Sequence, residues 1–512
     1  MSETGHATDG QDLDETGDRS DRTLRLAPEE EQPLRRRIVA NPRPAMAWAV
    51  VVVVLVALEF GALAGAVMTL IPWNVIGAYV PQALLPVSSA LAAFGNALAS
   101  LPTLLSRDLV ANEGYYTPQG VWVDTFLGLQ PAYAWAIRVA LVYLYAFACF
   151  GWAWRGYLVF REHYRYAEWT PRDDMVDRFR GHRWGQFGLV VVLMFLTLAI
   201  FAPTLGPTTV EKNIINPYGH EFNYYDQASN SVKTTTHGIA NLDSISQGIL
   251  DKNVGPLTYD DYGRFHPFGT LPNGKDLFTF MAAGARVSLF IGLIAILMSG
   301  VVAAGLAVVT AYYKGAVDLA AVITADSVMS LPLLLLLILL SVVLSGTWIA
   351  QIYSGALVLA LILGATQWPF LWRAVRGPAF QVSDREWIDA AKSYGQRPRV
   401  TMRKHMFPYI VGYLLVYTSM TLGGIIIAVA GLTFLGLGIT RPTPEWGRAI
   451  NLGQQYVTTV SWHISFIPGI MIVLVVTAFN ALGDGIRDAI DPQSEGGSDE
   501  GAEAAAAGGG GA

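Results

Sequence analysis

Residues 280–311 read FMAAGARVSLFIGLIAILMSGVVAAGLAVVTA, with Arg286 as the single charged side chain. As an α-helix this run is about 48 Å long. The hydrocarbon core of a bilayer is about 30 Å thick and is crossed by about 20 apolar residues. The run is therefore read as a membrane span. Seven more of this kind follow from the same criterion: 45–71, 132–153, 186–205, 319–345, 352–371, 409–437 and 464–483. The composition agrees. Charged residues are 14% of the 512 and apolar ones 53%, against about 25% charged in an average soluble domain. Mean hydropathy is +0.39. These values exclude a string of three soluble domains, a disordered chain and a secreted disulfide scaffold. Cys149 is the only cysteine, so no intrachain disulfide or cysteine-based metal cluster is available. The expected fold is an all-α integral membrane protein of about eight transmembrane helices.

Residues 83–105 are apolar too, but Pro81, Pro86 and Pro102 break the run. A short interfacial or re-entrant helix is expected there. Sidedness follows from the Lys/Arg bias. Arg35, Arg36, Arg37 and Arg43 lie in 33–44, seven arginines in 155–183 and eight Lys/Arg in 373–404. Segment 72–131 has only Arg107, and 206–279 has five bases. With eight spans, all the base-rich segments fall on one side, the cytoplasm, together with both termini; a ninth span at 83–105 would split them. Residues 1–31 hold ten acids and three arginines, and 491–512 hold five acids and no base. Acidic tails so poor in large apolar residues read as disordered, and the first 31 residues show no cleavable signal peptide. The expected organisation is an acidic tail (1–44), an added membrane region with two spans (45–184), a core span with an outer loop (185–279), a membrane core (280–490) and a second tail (491–512). The polar stretch 206–279, rich in Asn, Tyr, Gly and Pro, reads as a small extracellular cap.

The base-rich loop 383–408 is the most informative. Ser383 followed by Glu386 has capping-box spacing, Gly395 suits a left-handed helix end, and Pro398 suits the first turn of another helix. A helix of about three turns is expected between them. Trp387, Ala391 and Tyr394 share a face by i, i+4, i+7 spacing, and Ala390 and Ala391 keep the helix thin enough for another surface to approach. On the residues alone this is either a docking helix or an ordinary capped interfacial helix.

Asp389-Ala390-Ala391, Gly395 and His405-Met406-Phe407-Pro408 resemble the EAA loop of ABC importer permeases, with the family spacing kept. Asp389 replaces Glu, His405 replaces Ile and Phe407 replaces Leu. A His before the final Pro is similar to the dipeptide/oligopeptide/nickel branch, C-type subunit. Four more segments agree: His266-Pro-Phe-Gly-Thr270 with Gly274-Lys275-Asp276 and Gly284-Ala-Arg286; Tyr312-Tyr313-Lys-Gly315; Phe434-Leu-Gly-Leu-Gly438 with Trp446-Gly447; and Asn480-Ala-Leu-Gly483-Asp484-Gly485 through Asp491-Pro492. The resemblance covers roughly 185–492 and leaves 1–184 without a counterpart. It implies a six-helix type I permease core with two extra N-terminal spans. It also implies a permease subunit that imports peptides, or alternatively nickel, a sugar or another solute, paired with a second permease, two ABC ATPases and an extracellular solute-binding protein. Glu386, Trp387, Asp389, Ala390, Ala391, Tyr394, Gly395, His405 and Pro408 would then form the ATPase-coupling loop.

The chain is not expected to be an enzyme, nor to bind a metal, a cofactor or nucleic acid; ATP would be bound by the partners. Gly269 to Asp276 fits GxxxxGK, but Asp276 replaces the required Ser/Thr and would repel phosphate. His220-Glu221 and Glu162-His163 lack zinc-site spacing. A channel or secondary transporter would carry more intramembrane charge or repeated discontinuous helices. Asp326, inside a span, either lines the pathway or pairs near the interface. Gly423, Gly424 and Gly431, in a span rich in small residues, either face a partner subunit or serve packing within the chain. Pro332, Pro369 and Pro468 are placed to kink spans.

Overall fold

A computed structural model describes residues 33–62, 103–166, 169–249 and 252–490, with scattered positions between 64 and 101. The expected interfacial helix at 83–105, the end of the first span and both acidic tails lie almost wholly outside the described residues. Fourteen helices matter here: α1 (Leu34–Ala40), α2 (Pro42–Leu58), α3 (Pro131–His163), α4 (Pro171–Gly181), α5 (Arg183–Ile200), α6 (His237–Asp243), α7 (Leu277–Tyr313), α8 (Gly315–Met329), α9 (Leu333–Leu344), α10 (Ala356–Ser383), α11 (Glu386–Ser393), α12 (Phe407–Phe434), α13 (Trp446–Gly453) and α14 (His463–Ile490). Among the described residues six helical stretches are long and apolar enough to cross a membrane, or up to eight if each of two bent pairs is one span. The protein is an all-α multi-pass membrane protein.

One expectation changes, and the kink expected at Pro332 is present. Residues 34–40, assigned above to the tail, form α1, which meets α2 at a 99° bend. The run 319–345 is not one straight span. α8 and α9 meet at 78°, because Pro332 supplies no backbone N–H to continue the ladder and instead caps α9.

The chain forms two compact units. The smaller comprises α1, α2 up to Ala57 and the second half of α3. There, Trp48 Nε1 donates to the Trp152 carbonyl (3.0 Å) and Trp152 Nε1 to the Trp48 carbonyl (3.1 Å). Gly156 leaves room for the Trp48 ring, which a Cβ would approach to 2.7 Å. Tyr164 Oη donates to Asn41 O (2.7 Å) and accepts from the Ala45 amide (3.0 Å).

The larger unit is built around α7. This helix buries Ala295, Ser299, Ala303, Ala307 and Ala311, a small residue at every fourth position. That stripe permits close helix approach, and the most extensive contact of α7 is with α10. Gly364 of α10 lies under Met298 of α7. α14 packs on α5 and α12. Its crossing with α5 is set by glycine: a Cβ on Gly188 would lie 2.5 Å from the Ala478 carbonyl oxygen, and one on Gly185 would lie 2.8 Å from Gly485 Cα. Gly423 of α12 packs against Val476 of α14, whereas a Cβ on Gly424 or Gly431 would meet no neighbouring atom. Leu334, Leu335, Leu339 and Val343 on α9 and Leu415 and Ile427 on α12 are exposed, as a lipid-facing or partner-facing surface requires.

Replacing Gly188 with Val should force α5 and α14 apart, at a cost of about 1–3 kcal/mol. Thermal unfolding of the detergent-solubilised chain, followed by size-exclusion fluorescence, should fall by several degrees. Gly412→Ala, where a Cβ meets nothing, should leave it unchanged.

Candidate functional site

Two polar structures flank the apolar bundle, one at each end of α7. A 37-residue helix spans about 55 Å, so residues bonded to its two ends lie far apart. Asp276 caps its first turn, and Lys314 follows its last residue.

At the Lys314 end, Lys314 Nζ pairs with Asp384 (2.5 Å), the residue that follows α10. The expected capping box is absent. Ser383 is the last residue of α10 and its Oγ donates to the Phe380 carbonyl (2.8 Å). The next helix starts after Arg385, so α11 is only eight residues long. The chain turns at Ser383 because α10 continues twelve residues past the apolar run 352–371 before it ends. The C-terminal end follows the glycine rule. Gly395 has φ +73°, its amide donates to Lys392 O (2.9 Å), and the Gln396 amide donates to Ala391 O (3.0 Å), which is a Schellman motif. Pro398 opens the following turn. Met402–Met406, containing His405, is a π-helical turn leading into α12, and Pro408 lies in the first turn of α12.

Ile388 is the one buried side chain of α11, and Trp387 and Lys392 add ring contacts to α12 and to Tyr312 at the end of α7. Ile388 is fully buried among Trp372, Val375, Met406 and Ile410, which belong to α10, the π-turn and α12. Tyr394 is 92% exposed. Glu386, Asp389 and Ala390 are exposed, and Ala391 and His405 are half-buried. Trp387 stacks on Tyr409 at 5.9 Å under the Arg385 guanidinium. Asp389 pairs only with Lys392, three residues on (3.3 Å). The loop is thus a short rigid helix fastened to the bundle on one side and open on the other. Nearby, Asp326 of α8 pairs with Arg373 of α10, and Asp318 takes a bidentate pair from Arg376.

At the Asp276 end lies the cap, with a hairpin of Glu221–Asp226 and Ser231–Thr236. Asp276 Oδ1 accepts from the Thr279 amide (2.7 Å), and Oδ2 faces His266 Nδ1 (2.9 Å). His266 Nε2 faces Asp260 (3.4 Å), and Arg264 Nε donates to Asp260 (2.6 Å). Arg264 also donates to Asn241 (2.8 Å) and Ser244 (3.1 Å). Burial opposes a proton on His266, but a carboxylate on each ring nitrogen outweighs it and raises the imidazole above its ordinary value. A second cluster joins residues 107–138 to the turn after α5. Arg107 donates to the carbonyls of Gly206 and Pro207 (both 2.6 Å) and to Glu113 (3.2 Å). Lys212 donates to Glu113 (2.6 Å). Arg138, almost fully buried, donates to Val110 O (3.0 Å) and Gly206 O (2.9 Å). Burial raises the Glu113 carboxyl, but Arg107 and Lys212 outweigh it and hold it at about 2; burial lowers His237 to about 4. Glu113 is thus paired with Arg107 and Lys212, and Asp260 with Arg264 and His266. The sequence reading treated this region only as a cap. The available signal was Arg138, an arginine inside an apolar run, where a charge is costly without partners. Among the described residues no group of three or more His, Cys, Asp or Glu is placed to hold a metal ion.

A multi-pass bundle with an outward-facing helix at one end and a folded cap at the other is the architecture of a membrane permease component. Residues 279–495 match the family described as binding-protein-dependent transport system inner membrane component, and residues 170–228 match the N-terminal TM domain of oligopeptide transport permease C. The chain is 29% identical over 320 residues to a dipeptide transport system permease protein of Bacillus subtilis, covering 62% of this chain and 85% of that protein. It is also 29% identical over 327 residues to a glutathione transport system permease protein of Escherichia coli O157:H7, covering 64% and 92%. Over residues 170–495 the chain is therefore similar to the permease components of binding-protein-dependent ABC importers, in the dipeptide/oligopeptide/nickel branch.

The acid sensitivity of the cap follows from its shifts. Glu113 is depressed from 4.5 to about 2 and His237 from 6.5 to about 4. Both favour the folded state at neutral pH, and both contributions are lost on acidification, His237's between pH 6.5 and 4 and Glu113's between 4.5 and 2. The unfolding temperature should therefore decline below pH 6.5. Glu113→Gln should lower it at pH 7 and flatten the part of the decline below pH 4.5.

Proposed function

We propose that this chain forms one half of the translocation pathway of an ATP-driven importer for peptides. A second permease subunit supplies the other half. Two ABC ATPases bind on the cytoplasmic side, and a solute-binding protein delivers cargo from outside. The Lys/Arg bias supports this sidedness, with the 384–408 loop and both termini in the cytoplasm and the cap outside. Peptide cargo is supported by the relatives named for dipeptide and glutathione transport. ATP belongs to the ATPases, and this chain itself holds no cofactor.

The observation that carries the reading is the mounting of α11. Its outer face is open, and its only buried side chain, Ile388, is wedged between α10, the π-turn and α12. Closure of the ATPases on Glu386, Asp389, Ala390 and Tyr394 would push through Ile388 onto those helices. Lys314–Asp384 ties the same junction to the end of α7. A load applied at the loop therefore reaches α7, α10 and α12. The half-open α12 stripe at Gly424 and Gly431 suits close packing against the second permease.

Asp389→Lys and Ala391→Trp should each reduce ATP-driven peptide uptake to background while the chain still inserts and co-purifies with the second permease. Normal uptake in both variants would remove α11 from the coupling path.

A further inference from the structure

The cap also carries an open groove of about 690 Å³, lined by two aromatic clusters. In the first, Tyr116 and Trp122, from the paired segments Tyr115–Tyr116 and Trp122–Val123, meet at 5.5 Å between ring centroids. Tyr259 lies 30° from parallel to Trp122 at 6.3 Å. In the second, Tyr224 of the Glu221–Asp226 strand meets Tyr262 at 4.7 Å. All five side chains keep accessible surface: Tyr116 and Tyr259 are exposed, and Trp122, Tyr224 and Tyr262 are half-buried. Two of the rings are fixed by their hydroxyls. Tyr259 Oη accepts from the Ala132 amide (3.2 Å), and Tyr262 Oη donates to Asp243 (2.5 Å).

The charge of the groove has one sign. Asp226, Asp260 and Asp261 line it, and no Lys, Arg or His is among its described lining residues. Asp226 is paired with Lys233, and Asp260 with Arg264. Asp261 is exposed, and its carboxylate has no partner among the described residues. The face of an aromatic ring is electronegative, so it attracts a cation as a carboxylate does, while also covering apolar substituents. An anion would be repelled by both. A neutral apolar guest would gain ring burial alone and make no use of Asp261. The volume falls in the range of small-molecule sites, about 300–1,000 Å³. We infer that this groove binds an organic ammonium ion, seated on the rings of the two clusters and countered by Asp261. A free quaternary amine and the basic side chain of a peptide offer the same chemistry. Tyr116, Trp122, Tyr259 and Tyr262 lie outside both matched stretches, 170–228 and 279–495. The inference does not depend on the transported cargo or on coupling to ATPases.

The test is saturation-transfer NMR of the full-length chain in a polyoxyethylene detergent, which carries neither ammonium nor sugar. The chain is titrated with choline and with acetyl-lysine amide. The first stands for a free ammonium compound and the second for a basic peptide side chain, and the tighter of the two identifies the source. Dimethylbutanol, the uncharged carbon isostere of choline, and glucose are the controls. Saturable binding of an ammonium probe is expected, about tenfold tighter than that of dimethylbutanol. Asp261→Asn should weaken it about fivefold at low salt and less at high salt, as for one exposed charge at contact distance. Trp122→Leu keeps an apolar surface but removes the ring, and should weaken it about two- to fivefold. Asp261 makes no side-chain bond within the protein, so if Trp122→Leu fails to fold, Asp261→Asn decides. No saturable binding of either ammonium probe, equal affinity for dimethylbutanol, a preference for glucose, or undiminished affinity in either folded variant would each overturn the inference.

Discussion

Backbone polar groups inside a bilayer have no water to bond, so every spanning segment must satisfy its own hydrogen bonds. That constraint makes α7 a continuous 37-residue helix and confines the chain's polar chemistry to its two ends. One end is closed by Asp276, which both caps the helix and anchors the cap through His266. The other is followed by Lys314, bonded to Asp384 at the root of α11. Every fourth residue of α7 from Ala295 to Ala311 is small, which brings α10 against it. The helix therefore links the two ends mechanically as well as covalently.

Much of this was legible in the sequence because hydropathy reports burial in lipid directly. The runs at 132–153, 186–205, 280–311, 352–371, 409–437 and 464–483 all became helices, several extended well past the apolar stretch by polar turns. Gly395 and Pro398 were readable because each has a conformation that few other residues share. Ser383 misled because capping-box spacing is local and cannot register where the preceding helix ends; α10 simply runs on to it. The break at Pro332 was anticipated as a kink, but its 78° angle depends on how α9 packs. The charged clusters of the cap were not legible. Glu113, Lys212 and Arg264 come together only after segments far apart in sequence fold onto one another, and no spacing rule connects them.

The two ends differ in a way that fits their proposed tasks. α11 has one buried side chain and an open outer face, an arrangement suited to receive force. The cap is dense with buried ion pairs, which hold a fixed shape as long as all partners are in place. The second arrangement suits a surface that must present constant geometry to an incoming protein or solute while the bundle beneath it rocks.

Photo-crosslinking in native membranes tests the central claim, that α11 is where the ATPase acts. A photoreactive residue in place of Tyr394 should yield an adduct with a P-loop ATPase subunit, and one in place of the exposed Tyr218 in the cap should not. An ATPase adduct from Tyr218, or none from Tyr394, would contradict the account.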